Sequence, residues 1–180
     1  MRSFFKKHLQ WIGLGFVLVL ASPFPLKAET YLTSQQFVDG AFGANEAKLE
    51  TLWMTKEVAK QADKILGHAP KQLRQRYWKY GLQTAWILDE IGKEEPITAG
   101  FLVENGKILQ VSILAYRESR GGEVRHASFL KQYQGASLQQ DAQLNKTIDG
   151  ISGATLSVRA VGRMARLALY FDQISHQQAN

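Results

Sequence analysis

Apolar residues recur along this chain at two spacings, one typical of helices and one typical of strands. A period near 3.6 predicts a helix over 56–66, capped by Thr55, and a longer helix over 155–171. A short helix is predicted to begin at Ser34, which is suited to cap it, and to end near Gly43. The main helices therefore lie towards the two ends of the chain.

The middle of the chain is rich in aromatic and β-branched residues, which favour strands. The dipeptide Asn105-Gly106 separates two apolar runs and is a strong hairpin signal, so the sheet should be antiparallel. We expect an α+β fold in which helices pack against this sheet and the last helix opens from a turn. The predicted strands are 77–80, 84–88, 97–104 and 107–116, and their predicted core residues are Val103, Ile108, Val111 and Ile113.

The first 28 residues have the features of an export signal. A positively charged start is followed by an uncharged apolar run over 9–21, two prolines, and Ala28 as a small residue at a suitable cleavage position. The apolar run is shorter than the ~20 residues of an ordinary transmembrane helix. We therefore expect a signal peptide over 1–28 and a periplasmic protein, and an uncleaved leader that anchors the chain to the membrane is the alternative.

Setting this segment aside changes what the charge implies. The whole chain has 22 basic and 16 acidic residues, but four basic residues belong to the segment, which leaves 18 against 16. A net charge this small does not favour nucleic-acid binding, which calls for clustered lysines and arginines. The remaining chain is divided into an N-terminal helical region over 29–76, a main domain over 77–174 and a C-terminal tail over 175–180.

Cysteine is absent, and the four histidines show no metal-ligand spacing. The lack of cysteine excludes disulfides, iron–sulfur clusters and thiol catalysis, and it fits an oxidising compartment. The sequence also shows no convincing general-base dyad or nucleophile, so chemistry on a bound substrate is not the favoured function.

The segment from Asp149 to Thr155, Asp-Gly-Ile-Ser-Gly-Ala-Thr, carries the strongest chemical signal. Thr155 is predicted to open the last helix, where free backbone N–H groups and the helix dipole favour an anion. Gly153 and Ala154 have almost no side chain, so a phosphate can approach the backbone. Ser152 either caps the turn or helps to hold the phosphate, and Asp149 is assigned to turn shape or enzyme recognition. On these residues alone, an ordinary helix cap is an equally good explanation.

The segment resembles the Asp-x-x-Ser/Thr-Gly-Ala-Ser/Thr signature of the bacterial FMN-binding domain family. In that family a flavin transferase joins the phosphate of FMN to the last hydroxyl of the signature, which is Thr155 here. The resemblance runs from about residue 77 to residue 170, in the order hairpin, loop over 116–122, helix over 129–133 and signature. It implies covalent FMN on Thr155 and an FMN-binding domain over 77–174, as in the flavoprotein subunits of sodium-pumping quinone reductases. Those subunits keep a membrane anchor, whereas this chain resembles a stand-alone exported member.

The polar loop after the hairpin is the second candidate for flavin contact. Gly121 and Gly122 allow close approach to a planar ring, while Arg117, Glu118 and Arg120 are suited to hydrogen-bond its edge. A cation near the pyrimidine end of the ring would stabilise the anionic reduced flavin and raise its potential. A solvated turn held by its own ion pairs is the alternative.

Two further groups of residues have both a structural and a functional interpretation. Arg159, Arg163 and Arg166 form a stripe on the last helix that is either solvated surface or a docking patch for an acidic redox partner. The aromatic residues of the first strands are interpreted as core side chains in preference to flavin-stacking ones. They are Tyr77, Trp78 and Trp86.

Three functions compete. The first is a periplasmic electron carrier whose tethered FMN passes electrons between redox proteins such as a membrane dehydrogenase or a cytochrome. The second is a flavin-dependent reductase of a small substrate, with Glu118 or Arg120 as the proton donor or orienting group. The third is a binding domain without flavin, which would stay colourless beside a flavin transferase. Turnover of a small acceptor in the absence of protein partners separates the reductase from the carrier.

We predict that the leader is removed after Ala28, because a charged start, a short apolar run and a small residue together form a processing signal. Mass spectrometry of the exported protein should find Glu29 at its N-terminus. Met1 or Arg2 retained in a membrane fraction would contradict this prediction and favour an anchored subunit.

Overall fold

The computed structural model describes residues 29–177, so the predicted signal peptide lies outside the described residues. Within that range the predicted α+β architecture is confirmed, because helices pack on one antiparallel sheet and the longest helix comes last. The strands are β1 (Glu29–Thr30), β2 (Lys48–Trp53), β3 (Arg74–Tyr80), β4 (Gln83–Ile91), β5 (Pro96–Glu104) and β6 (Lys107–Tyr116). The helices are α1 (Ser34–Phe42), α2 (Lys56–Leu66), α3 (Ala127–Leu130) and α4 (Thr155–Gln177).

The sheet has the strand order β1-β6-β5-β4-β3-β2, and every neighbouring pair is antiparallel. The predicted hairpin joins β5 to β6 through Asn105 and Gly106, both of which have positive φ. Two positive φ angles in a two-residue loop match the twist of the flanking strands, which is why Asn-Gly is favoured there. The hairpin places the loop that follows β6 beside the turn between β4 and β5.

Helix starts agree with the sequence to within one residue. Thr55 caps α2 as predicted, since its hydroxyl accepts a hydrogen bond from the N–H of Val58 at 3.3 Å. The cap of α1 is Thr33 and not Ser34, because Thr33 has extended backbone and its hydroxyl accepts from the N–H of Gln36. Ser34 is already the first helical residue.

The region over 29–76 is less helical than predicted, because it also contains β1 and β2. Strand β2 lies at the edge of the sheet, and only Leu52 is buried among its six residues. Such a strand has little apolar pattern to reveal it. Trp53, which precedes the cap of α2, ends this strand opposite Arg74. Helix α4 extends to Gln177, so it includes the first residues of the predicted tail.

Apolar side chains pack on both faces of the sheet. The larger cluster lies under α2 and α4, and there Tyr77 stacks on Trp86 with ring centroids 4.4 Å apart. The smaller cluster lies under α1, and Trp78 packs against it. Tyr77 and Trp86 are therefore core side chains, as interpreted, and Trp78 is half-buried against the smaller cluster. All four predicted strand core residues are buried as well: Val103, Ile108, Val111 and Ile113.

No helix within residues 29–177 combines the length and the apolar character that a membrane span requires.

Replacing glycine by alanine should change the stability of the protein in opposite directions at two positions. A Cβ at Gly100 would lie 2.7 Å from the ring of Phe37, so Gly100→Ala should destabilise the protein by about 1–3 kcal/mol through overpacking. Gly40 lies on an exposed part of α1 with nothing near such a Cβ, so Gly40→Ala should stabilise it by about 0.5–1 kcal/mol. Denaturant unfolding of both variants measures the difference. Equal effects would show that α1 does not pack on the sheet as described.

Candidate functional site

Helix α4 begins without a side-chain cap among the described residues. Ser152 is exposed and makes no hydrogen bond within residues 29–177, so it does not cap the helix. The backbone N–H groups of Thr155, Leu156 and Ser157 also have no acceptor in this part of the chain. Three free donors at the positive end of a 23-residue helix form a site for an anion. The ordinary-cap explanation of this segment is therefore not supported.

The turn before α4 presents these donors to solvent. Gly153 has φ 81°, a left-handed conformation that glycine adopts at little cost, and a Cβ there would meet nothing within 4 Å. The N–H of Ala154 donates to the carbonyl of Ile151 at 3.0 Å, which closes the turn, and the Ala154 methyl is buried. The turn is thus fixed on its inner side and open on its outer side, where Thr155 is exposed.

A cleft of about 590 Å³ lies directly over this helix start. Its volume falls within the roughly 300–1,000 Å³ typical of pockets for cofactors and other small ligands. Three sections of chain that are distant in sequence form its walls, namely the β4–β5 turn, the loop after β6 and the first turn of α4. The lining residues are Lys93, Glu94, Glu118, Ser119, Arg120, Gly153, Ala154, Thr155, Leu156 and Ser157.

Glu118 joins two walls of the cleft. Its Oε1 atom accepts hydrogen bonds from three consecutive backbone N–H groups of the β4–β5 turn, those of residues 93–95. A Cβ at Gly92 would lie 2.8 Å from the same oxygen, so a glycine is needed there for the carboxylate to dock. Burial opposes ionisation of Glu118, but the three N–H donors outweigh it and lower its pKa. We expected Glu118 to contact the flavin edge, whereas its Oε1 atom is engaged by this turn.

Gly121 brings the loop after β6 against α4. It has φ 84°, and an added Cβ would lie 2.8 Å from Ser157 Oγ and 2.9 Å from Tyr116 Oη. These two hydroxyl oxygens are 2.9 Å apart and hydrogen-bonded, and burial raises the pKa of Tyr116. Gly121 therefore permits close packing of loop on helix, whereas we had expected close approach to a ring. Gly122 begins a short 3-10 turn (Gly122–Arg125).

The two arginines of the loop differ in their contacts. Arg117 Nη1 donates to the carbonyl of Pro96 at 3.1 Å and to Thr98 Oγ1 at 2.9 Å, so this side chain holds the start of β5. Arg117 lines a smaller hollow of about 200 Å³ and not the main cleft. Arg120 is exposed and lines both the main cleft and the smaller hollow. Its guanidinium has no hydrogen-bond partner within residues 29–177. Of the predicted pair, only Arg120 is placed beside the helix start.

Asp149 lies outside the cleft. It is exposed, and its backbone N–H donates to Gln132 Oε1 at 2.7 Å, which ties the start of the signature to the segment after α3. The structure thus brings Gly153, Ala154 and Thr155 together with Glu118 and Arg120. The others predicted for this site surround it without lining the main cleft: Asp149, Ser152, Arg117, Gly121 and Gly122.

Sequence reasoning missed several contributors to the cleft and its support. Lys93 and Glu94 belong to a charged turn with no motif, and Ser157 was read only as part of a helical pattern. Tyr116 was assigned to the end of a strand and the start of the following loop, without a role at the site. The contact between Tyr116 and Ser157 joins residues 41 apart in the chain, so no local signal was available to predict it.

These residues fit FMN. A phosphate needs donors, and the helix start has three free N–H groups beside an exposed hydroxyl. The cleft has room for more than a phosphate, and Arg120 supplies an unpaired cation at its wall within the described residues. When bound, the flavin supplies one- and two-electron chemistry that the side chains of this site do not have.

Comparison with known proteins agrees with this geometry. The sequence model of the FMN-binding domain family matches residues 92–170, which span the β4–β5 turn, the loop after β6 and most of α4. Residues 92–170 therefore resemble an FMN-binding domain, and the match supports FMN as the cofactor of this site. No curated protein matches the chain closely enough to count as a relative.

We predict that Glu118→Gln weakens the contact between the loop after β6 and the β4–β5 turn. The variant keeps the shape of the side chain but loses the charge that three N–H groups stabilise. The free energy of unfolding should therefore fall by about 1 kcal/mol at neutral pH. Because the folded pKa of Glu118 lies below its ordinary value of 4.5, the stabilisation is present above that pH and is lost as the pH falls through the folded pKa.

Thermal unfolding at neutral and at acidic pH tests this. The wild type and Glu118→Gln should differ at neutral pH and converge in acid. Glu94→Gln is the matched control, because Glu94 lies in the same turn with its side chain 70% exposed. If the two variants behaved alike at both pH values, the carboxylate of Glu118 would not hold the turn.

Proposed function

We propose that this protein is an exported electron carrier whose FMN is joined through a phosphoester to the side-chain oxygen of Thr155. The observation that supports the proposal best is the uncapped start of α4. An exposed hydroxyl and three free N–H groups face one cleft there. The N–H groups would hold the two remaining phosphate oxygens, and the helix dipole would stabilise the negative charge that a phosphodiester keeps.

A tether suits a carrier outside the cytoplasm. A cofactor that dissociated there would be diluted away, whereas one attached to Thr155 stays with the protein at any concentration. The attachment would be made by a flavin transferase that uses a flavin dinucleotide as donor. The bond between the Thr155 oxygen and phosphorus would form as the P–O–P bond of the dinucleotide breaks, the nucleoside monophosphate would leave, and the hydroxyl proton would be lost. Thr155 is exposed, and Gly153 leaves the space in front of the turn open, so a second protein can reach the hydroxyl. Export rests on the features of residues 1–28 in the sequence.

The site favours a carrier over a reductase of small substrates. A proton donor at neutral pH needs a raised pKa, but the pKa of Glu118 is lowered. An arginine guanidinium such as that of Arg120 is suited to orient and stabilise an anionic ring. A donor and an acceptor would then be redox proteins that approach the open cleft in turn. The match to the FMN-binding domain family argues against a binding domain that lacks flavin.

We predict that Thr155→Ala yields a folded but colourless protein when it is made together with a flavin transferase. Thr155 is exposed and caps nothing, so the stability should change by less than about 0.5 kcal/mol. Intact mass should lack the added FMN, whereas Thr155→Ser should still carry it. Thr147→Ala, which removes an exposed hydroxyl just outside the signature, is the matched control and should be fully modified. Flavin retained in Thr155→Ala, or mapped to Ser152 or Ser157, would contradict the assignment.

We also predict that Arg120→Ala lowers the midpoint potential of the attached flavin, because a cation at the cleft wall stabilises the anionic reduced ring. The amount of flavin should not change, since the signature is intact. Arg117→Ala is the control, because Arg117 binds Pro96 and Thr98 outside the cleft and its loss should affect stability more than potential. Potentiometric titration followed by absorbance measures both variants. Equal potentials in the wild type and Arg120→Ala would leave the loop with a structural role only.

A further inference from the structure

A second cleft, of about 380 Å³, lies between α4 and the segment over 143–148. It shares no lining residue with the cleft at Thr155. Four of its lining side chains are cationic and none is acidic. The residues that line it are Tyr133, Gln143, Leu144, Lys146, Ile148, Val158, Arg159, Gly162, Arg163 and Arg166.

The arginine stripe of α4 is therefore not the uniformly solvated surface that its spacing allowed. Arg159 is exposed and makes no hydrogen bond within residues 29–177. Arg163 Nη2 donates a hydrogen bond to Oε1 of the buried Glu90 at 2.9 Å and forms an ion pair with it. Arg166 donates to the carbonyls of Gly162 and Ile65 and to Gln143. Two of the three guanidinium groups are held by the fold at the wall of the cleft.

The positive charge of the cleft is poorly compensated. Glu90 is the carboxylate paired with Arg163, and it is shared with His68 at 3.1 Å. Within the described residues, Arg166 and Lys146 bond only to neutral acceptors. Burial, and then the nearby charge of Arg163, lower the pKa of Arg166. An anion placed between these groups would relieve their repulsion.

Two buried polar atoms at the same cleft lack partners. The Tyr133 hydroxyl and Arg163 Nε are both buried without a hydrogen bond in this part of the chain, and these are the two such side-chain atoms found there. Buried polar groups are nearly always paired, so their coincidence at one cleft points to a missing ligand. A Cβ at Gly162 would lie 3.8 Å from the Tyr133 hydroxyl, so the glycine leaves space beside it. Tyr133 itself is fully buried at the floor.

We propose that this cleft binds a small phosphate-bearing anion, either inorganic phosphate or a phosphate monoester. Guanidinium and ammonium groups form charge-assisted hydrogen bonds with phosphate oxygens, and the cleft is lined by four such groups. The Tyr133 hydroxyl and Arg163 Nε–H add donors at the floor. The apolar side chains of Leu144, Ile148 and Val158 leave room beside the phosphate for a small organic part. Because the two clefts are separate, this site does not depend on flavin attachment.

The test is a titration of the protein with inorganic phosphate and with glycerol phosphate, followed by backbone amide NMR. Sodium chloride at matched ionic strength is the reference. Saturable shifts are expected at residues 143–148 and 158–166 with phosphate and not with chloride. A lower Kd for glycerol phosphate would identify the monoester as the ligand class, and equal values would identify phosphate itself. Shifts confined to residues 155–157 would place the phosphate at the helix start and overturn the proposal.

Variants separate binding from folding. Arg159→Gln removes a cation that has no hydrogen bond or ion pair with a described residue, and Tyr133→Phe removes only the unpartnered hydroxyl, so both should fold. Each should raise the Kd for phosphate by about tenfold, the loss of one good hydrogen bond to a charged group. Arg76→Gln removes an exposed arginine on β3 and should leave the Kd unchanged. Binding that is unaffected by Arg159→Gln or Tyr133→Phe, or weakened equally by Arg76→Gln, would contradict the site.

Discussion

The open start of α4 is the constraint on which the rest of this site depends. Three backbone N–H groups stay without a partner in the described protein because no side chain caps the helix. The helix can tolerate this because its next turns are buried against the sheet, where Ala160, Val161 and Met164 are fully covered. Packing of the helix body thus stabilises an end that local interactions leave unsatisfied, and that end is free to bind an anion.

The loops around that end are held by contacts that leave it accessible. Glu118 binds the backbone of the β4–β5 turn, and Gly121 packs on Ser157, so both walls are fixed from behind. Neither contact uses a backbone N–H group of the helix start as a donor. This arrangement explains why residues expected to touch a flavin serve largely to position the cleft. Arg120 and Ser119 are the side chains of that loop that line the cleft without a hydrogen-bond partner among the described residues.

Local signals predicted the parts of the molecule that local physics determines. The Asn105-Gly106 turn, the Thr55 cap and the helical spacing after Thr155 each depend on neighbours within a few residues, and each was predicted correctly. Strand β2 was missed because its pairing with β3 buries almost nothing of its own. The support of the cleft was missed because Glu118 and Tyr116 act on partners 23 to 25 and 41 residues away. The signature pointed to Thr155, but only the fold shows which loops surround it.

Hydrogen exchange at the start of α4 tests the central claim most directly. The amides of Thr155, Leu156 and Ser157 should exchange rapidly in the protein made without a flavin transferase, because they have no acceptor there. In the flavin-bearing protein they should become protected, since the phosphate oxygens would accept from them, while the amides of Gly40 and Ala41 in α1 should not change. Protection that is the same with and without flavin at these three amides would contradict the account.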